Sequence, residues 1–267
     1  MARGRKGDKG DGRAPQATLY ALALSHPSIT AKLGLGRKGI AYEVRDFPPG
    51  LHAPALRARG FPAGTVPALV LDGKKVQGSR EIARALEEHS LEPRLFPADP
   101  ALRIAVEDAE RWGEEALQPV PRRLYRYVVS TDPEVRAAMA GAMGLPAPGL
   151  VAKLTGPLSK GMADKEDASA DQVRLDMAAL PGMVRRVEQL MADGVIAGDE
   201  PNAADFQIAP TIRVLLELED TAPAVAGTPL ESWARELVPD YPGHLQAKLP
   251  AEWTEAIREA AAARNRN

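Results

Sequence analysis

The chain has 267 residues, 45% of them hydrophobic and 26% charged, which is enough to bury a core and ordinary for a globular protein. A formal net charge of −2 supplies no global field for nucleic acid or an anionic membrane, and no run of about 18 apolar residues predicts a membrane helix. There are no cysteines, which excludes disulfides, thiolate metal sites and redox cycling on the chain's own sulfur; none of the four histidines, His26, His52, His89 and His244, forms an i, i+4 zinc pair.

Residues 1–15, MARGRKGDKGDGRAP, are charged and Gly-rich, lack the apolar stretch of a signal peptide, and read as a disordered tail. The apolar run ATLYALAL, residues 17–24, predicts a buried strand. Residues 25–39 predict a helix with Ile29, Leu33 and Gly36 on one face. Gly39 suits its C-terminus, and Arg37 and Lys38 suit the negative end of its dipole. Residues 40–47 predict a second strand, parallel to the first because a helical crossover separates them. A loop and one short helix follow in residues 48–60. Residues 68–71 and 75–77 then predict a hairpin turning at Asp72 and Gly73. Residues 78–90 predict a helix capped by Ser79, with Ile82 and Leu86 one turn apart. The order β-α-β-α-β-β-α describes an α/β domain with a mixed sheet over residues 16–91.

Residues 92–100 are Pro-rich and read as a linker, and residues 101–260 carry helical pattern. A long helix from residue 101 to 128 is broken or kinked near QPVPRR, residues 118–123, and another fits residues 133–143. Residues 145–171 mix Pro, Gly and charge and show no single period. Val173, Met177, Leu180, Val184, Val187 and Met191 recur at alternating steps of four and three, an apolar stripe. Pro181 and Gly182 inside that stripe predict a kink or a restart. Asn202 can cap the next helix while Asp205 reaches back, a variant of the capping box.

Three segments together resemble the soluble glutathione S-transferase superfamily. TVPALVLDGKKVQGSREIARALEE is similar to that family's run of Val-Pro, hairpin, Ser and helix. SHPSITAKLGLGRKGIAYE keeps its spacing from active-site loop to Lys-Gly, and GDEPNAADFQIA resembles its second-domain capping box. The resemblance implies a thioredoxin-like N-terminal domain followed by an all-helical C-terminal domain. It implies a transferase joining glutathione, or another small thiol, to an apolar electrophile, with no tightly bound cofactor and no metal. A cytoplasmic homodimer that engages neither nucleic acid nor membrane completes the expectation.

By that resemblance the backbone of Val66, ahead of a cis-Pro67, pairs with a peptide-like thiol. Ser79, at a helix N-terminus, holds a ligand carboxylate. Ser25, in LSHPSI, takes the catalytic position. Ser25 and Ser28 stand where a Cys-x-Pro-Cys loop would carry sulfur, so the loop has lost its redox atoms. A serine hydroxyl at a helix N-terminus can instead donate to a bound thiolate and lower the thiol pKa from about 8.5 toward 7. Both serines equally suit plain helix caps. His26 suits a residue facing solvent beside the site, or a proton carrier. Trp112, Leu117 and Tyr125 are candidates to line the electrophile pocket, or plain core. One departure stands out. The family's usual Glu or Asp before the serine, a partner for the ligand's ammonium, is Gly78 here, preceded by Gln77 and followed beyond Ser79 by Arg80, which suits carboxylates. That departure leaves open a thiol other than glutathione, and a non-catalytic binding or protein-interaction module of the same fold. A glutaredoxin-like reductase is excluded by the absence of cysteine, and a serine hydrolase by the absence of a Gly-x-Ser-x-Gly elbow.

Overall fold

A computed structural model describes residues 17–47, 51–264 and 266, in two compact units divided after Pro93. The expected tail, residues 1–15, lies outside the described residues. The first unit runs β1 (Ala17–Ala21), α1 (His26–Arg37), β2 (Tyr42–Asp46), α2 (His52–Ala58), β3 (Ala68–Leu71), β4 (Lys74–Gln77) and α3 (Ser79–His89). The sheet order is β2-β1-β3-β4, with β1 parallel to β2 and antiparallel to β3, and β3 antiparallel to β4. The sheet is therefore mixed, as the element order requires. Asp72 and Gly73 both take positive φ (47° and 79°), the conformation that lets a two-residue turn follow strand twist.

Both predicted strands are shorter than their apolar runs. Residues 22–24 are not strand: the Ser25 N–H donates to the Leu22 carbonyl (3.0 Å) in a turn that re-aims the chain into α1. Ile40 is likewise not in β2, because its N–H closes α1. It donates to the Leu35 carbonyl (3.1 Å) while Gly39 at φ 64° donates to Gly36 (3.0 Å), a Schellman ending. The buried face of α1 also differs from the expected one. Ala31, Gly34 and Leu35 are buried, whereas Ile29 and Leu33 are half-buried and Gly36 is exposed. Gly34 decides this, since a Cβ there would sit 3.1 Å from Leu86 Cδ1, so the glycine lets α1 and α3 approach closely. Alternation along β1 sends Tyr20 to the opposite face of the sheet from Leu19. There Tyr20 packs with Leu56, Phe61 and Ala68 and stacks on Phe47 at 5.7 Å.

Lys38 does not sit as a solvated partner of the helix dipole. Its ammonium is fully buried and donates to Glu87 Oε2 (2.6 Å) and the Ser90 carbonyl (2.5 Å), tying the ends of α1 and α3 together. Truncating one member of a buried pair leaves the other charge uncompensated. Lys38→Ala is expected to lower stability by about 3 kcal/mol, read as a lower urea midpoint with an unchanged slope.

The second unit is helical: α4 (Pro100–Trp112), α5 (Pro119–Thr131), α6 (Pro133–Ala142), α7 (Pro148–Lys165), α8 (Ala170–Ala192), α9 (Ala203–Glu217), α10 (Ala222–Val225), α11 (Pro229–Leu237) and α12 (Glu255–Arg264). The expected break near residue 118 is a π turn, Gly113–Leu117, closed by the Gln118 N–H on the Gly113 carbonyl (2.8 Å). Pro119 and Pro121 bring no N–H to continue α4, and α5 starts with proline in its first turn. Residues 145–171, without a clear period, contain α7, an 18-residue helix with Pro157 inside. At Pro181 the expected restart is absent: α8 continues for 23 residues. The proline removes one hydrogen bond, but Met177, Leu180, Val184 and Val187 are buried on both sides of it and hold one face in place. Asp176 on α8 accepts both Arg123 Nε (2.6 Å) and Nη2 (2.7 Å) from α5. Residues 203–215 of α9 are buried all round, which makes α9 the central helix of this unit. No helix among the described residues is long and apolar enough to cross a membrane.

Candidate thiol site at one end of the sheet

Strand register brings the predicted site residues of the first unit to one end of the sheet. Tyr20 near the end of β1 pairs with Ala68 at the start of β3, and Ala68 pairs with Gln77 at the end of β4. The loop to Ser25, the Val66-Pro67 step and the Gly78-Ser79 step therefore all leave from this edge. The Gly78 N–H donates to the Pro67 carbonyl (3.0 Å), and the Val66-Pro67 peptide is cis. Helices α1 and α3 both begin here, so two helix N-termini, each with unsatisfied N–H groups and partial positive charge, share the edge.

The backbone ahead of Pro67 is organised by one side chain that sequence reading passed over. Gln77 Oε1 accepts the Ala63 N–H (2.9 Å), and its Nε2 donates to the carbonyls of Ala63 (2.9 Å) and Thr65 (2.7 Å). This fixes the segment that leads into Val66. The amide is fully engaged in doing so and has no spare donor to offer a ligand.

Ser25 is the N-cap of α1, its Oγ accepting the Ser28 N–H (3.3 Å). A hydroxyl used as an acceptor still has its proton to donate, so capping and thiolate stabilisation are compatible. Ser28 is buried and its Oγ has no partner among the described residues. His26, expected to face solvent, is instead buried at the first position of α1.

Ser79 corrects the sequence reading in a way that matters. It is not the cap of α3: Gly78 is, and no side chain caps that end. Ser79 occupies the first helical position, is 3% exposed, and its Oγ lacks a hydrogen-bond partner. A buried hydroxyl without a partner costs roughly 1–3 kcal/mol. Beside free helix N–H groups, it is matched by an anionic oxygen. Arg80 follows at the second position, half-buried. A shallow cleft elsewhere in the unit, lined by Asp72, Val76, Ala85 and His89, contains none of these residues.

The three pocket candidates of the second unit have different surroundings. Leu117 is wholly buried in the π turn, a core residue with no surface to offer a ligand. Trp112 lies under the Arg186 guanidinium of α8, 4.5 Å from its ring centre. The Tyr125 hydroxyl donates to Met139 Sδ (3.4 Å) in α6, and burial holds its pKa above the usual tyrosine value. No cluster of three or more His, Asp or Glu able to hold a metal occurs among the described residues.

Comparison with known proteins places this geometry. Residues 19–94 match the model of the glutathione S-transferase N-terminal domain. A glutathione S-transferase from Rhodospirillum rubrum F11 is similar in structure, with 18% identity, 90% of this chain and 99% of that one covered, and a TM-score of 0.56. Glutathione transferase F2 from Populus trichocarpa is similar at 16% identity over 92% and 99% of the two chains, TM-score 0.55. FzlA from C. crescentus is similar at 19% identity over 90% and 99%, TM-score 0.54. No curated protein matches the chain in sequence. At these identities the likeness carries fold and leaves activity to be argued from the site.

Proposed function

We propose that this chain, whose residues 19–94 match the glutathione S-transferase N-terminal domain and whose fold is shared with such enzymes, binds glutathione or a related small peptide thiol and transfers it to an apolar electrophile. The observation that carries the reading is the buried Ser79 hydroxyl at the start of α3, left without a partner at the sheet end that also bears Ser25. A ligand carboxylate accepts from that hydroxyl and from the helix N–H groups. The Val66 backbone pairs with the middle of the peptide. The thiol then reaches the start of α1, where Ser25 donates to the thiolate as it forms. The thiolate attacks the electrophilic carbon; the proton leaves to solvent, and a leaving group departs if the reaction is a substitution. Glutathione is a co-substrate here and nothing is held as a resident cofactor. A homodimer in the cytoplasm is part of the proposal.

A second reading has specific support. Leu117 is wholly buried, and Trp112 and Tyr125 are engaged by Arg186 and Met139, which fits a binding or interaction module that holds a thiol peptide without transferring it. Both readings require the thiol site. Calorimetric titration of the full chain with glutathione should give binding in the micromolar to low-millimolar range. Ser79→Ala should weaken it by roughly tenfold. No heat and no protection against thermal unfolding, at thiol well above a millimolar, would overturn both. Turnover of an electrophile panel then separates transferase from module.

A further inference from the structure

The hairpin of α6 and α7 turns its large apolar side chains outward. Residues 137–152, AAMAGAMGLPAPGLVA, contain no polar or charged side chain. They close α6, turn and open α7, and residues 141–147 at the turn are all exposed. Helix α7 packs on α5 and α6 through small residues: Ala152 and Ala163 are buried, and a Cβ on Gly156 would lie 3.5 Å from Arg136 Nη2. Arg136 Nε donates to the Ala152 carbonyl (2.9 Å) and Nη1 to the Val129 carbonyl (2.7 Å), which pins both helices to the end of α5. The leucines of α7 face the other way. Leu150, Leu154 and Leu158 form one i, i+4, i+8 row and are 58%, 72% and 61% exposed. With Met143 and Leu145 from the turn, they make up half of the large hydrophobic residues that are exposed among those described, so they form a patch and not scattered singles.

The charges around this patch have one sign. Asp and Glu are absent from residues 135–163, whereas Lys153 and Lys160, both exposed, lie on one flank of the leucine row. The next acid, Asp164, comes only at the end of the helix and is followed by Lys165. The chain as a whole carries a net charge of −2, so the basic flank is a local feature. We propose that the α6–α7 hairpin is a docking surface for an anionic lipid bilayer, with the turn and the leucine row in the interface and the lysines on the headgroups. Lysine suits that place, because its stem lies along apolar surface while its ammonium stays with the phosphates. The contact lies on the bilayer and does not cross it, since neither helix is long and apolar enough to span. A second copy fits the patch less well: a two-fold axis through Leu154 would set Lys153 beside its own counterpart, and like charges repel. The proposal does not rest on the thiol site, and it departs from the expectation, drawn from the resemblance, that no membrane is engaged.

The test is flotation of the full-length protein with vesicles of phosphatidylcholine, with and without about one-third phosphatidylserine. The wild type is expected to float with the anionic vesicles, roughly tenfold less with the zwitterionic ones, and to be released as salt rises to about 0.5 M. Leu150→Ser/Leu154→Ser should lower partition into the anionic vesicles by about tenfold or more. Lys153→Gln/Lys160→Gln should lower it roughly tenfold, to the level seen with zwitterionic lipid. Because the chain has no cysteine, Leu154→Cys offers a single attachment point for a polarity-sensitive dye. Its emission should shift to the blue on anionic vesicles, while the same dye on an Asp108→Cys protein, outside the hairpin, should not shift. Absence of flotation, equal flotation on both kinds of vesicle, or flotation that survives the leucine substitutions overturns the proposal. Self-association without lipid that the leucine substitutions abolish, together with no flotation, would give the patch to a second copy and overturn it as well. A thermal melt of each variant checks that these exposed substitutions leave the fold intact.

Discussion

Asp205→Ala is expected to cost the protein about 3 kcal/mol of stability. Asp205 has no exposed surface and stands at the third position of α9. One carboxylate oxygen accepts the Ala197 N–H (2.6 Å) and the other the Asn202 N–H (2.8 Å). Asn202 answers by accepting from the N–H groups of Ala204 (2.9 Å) and Asp205 (3.4 Å), and its Nδ2 donates to the Val195 carbonyl (2.9 Å). Alanine strips the carboxylate from the N–H groups of Ala197 and Asn202 at the entry to the central helix, and with it the box that ties that turn together. Urea unfolding should show the loss as a lower midpoint. A loss under about 1 kcal/mol would mean that water reaches the loop before α9 and replaces the carboxylate.

Burial works against the ionised form of the same carboxyl and raises its pKa above the usual aspartate value, while the backbone N–H donors pull the other way and are the smaller influence. An acid whose folded pKa exceeds its unfolded one binds more protons when folded. Its contribution is complete below the unfolded value and declines as pH rises through the folded one. The advantage of wild type over Asp205→Asn should therefore shrink as pH rises from the unfolded aspartate range, about 4, upward. A difference that grows with pH in that window would show that the N–H donors outweigh desolvation.

How much of this was legible depended on whether a signal was local. The Asn202–Asp205 box and the Gly39 ending of α1 could be read because each is written within a few residues. The parallel pairing of β1 with β2 and the β3–β4 hairpin followed from chain order and turn chemistry. What failed needed knowledge of the neighbour. Gly34 buries its side of α1 because Leu86 arrives there, and no period in residues 26–37 announces that. Pro181 does not restart the helix, because tertiary burial on both sides of it overrides a local cost. Ser79 was read as a cap because serine favours caps, whereas the positive φ of Gly78 gives the cap to the glycine and displaces the serine one position inward.

Ser25 offers the sharper functional test, because its cap role and the thiolate role proposed for it make opposite demands. As the cap of α1 it needs an acceptor for the Ser28 N–H, and serine, asparagine and aspartate perform that task about equally. As a thiolate stabiliser it needs a donor, and a carboxylate in its place would repel the nucleophile. Ser25→Ala is expected to lower kcat/KM for a model electrophile roughly tenfold to a hundredfold near neutral pH, with a stability loss of about 1 kcal/mol from the missing cap. The pH–rate profile should move to higher pH by about one unit, since the bound thiol is harder to ionise without the donor. Ser25→Thr should recover most of the rate. Ser25→Asp should melt like the parent and be the slowest of the series. Equal rates for the aspartate variant and the parent would reduce Ser25 to a cap, and the thiolate would then owe its stability to the helix N-terminus alone.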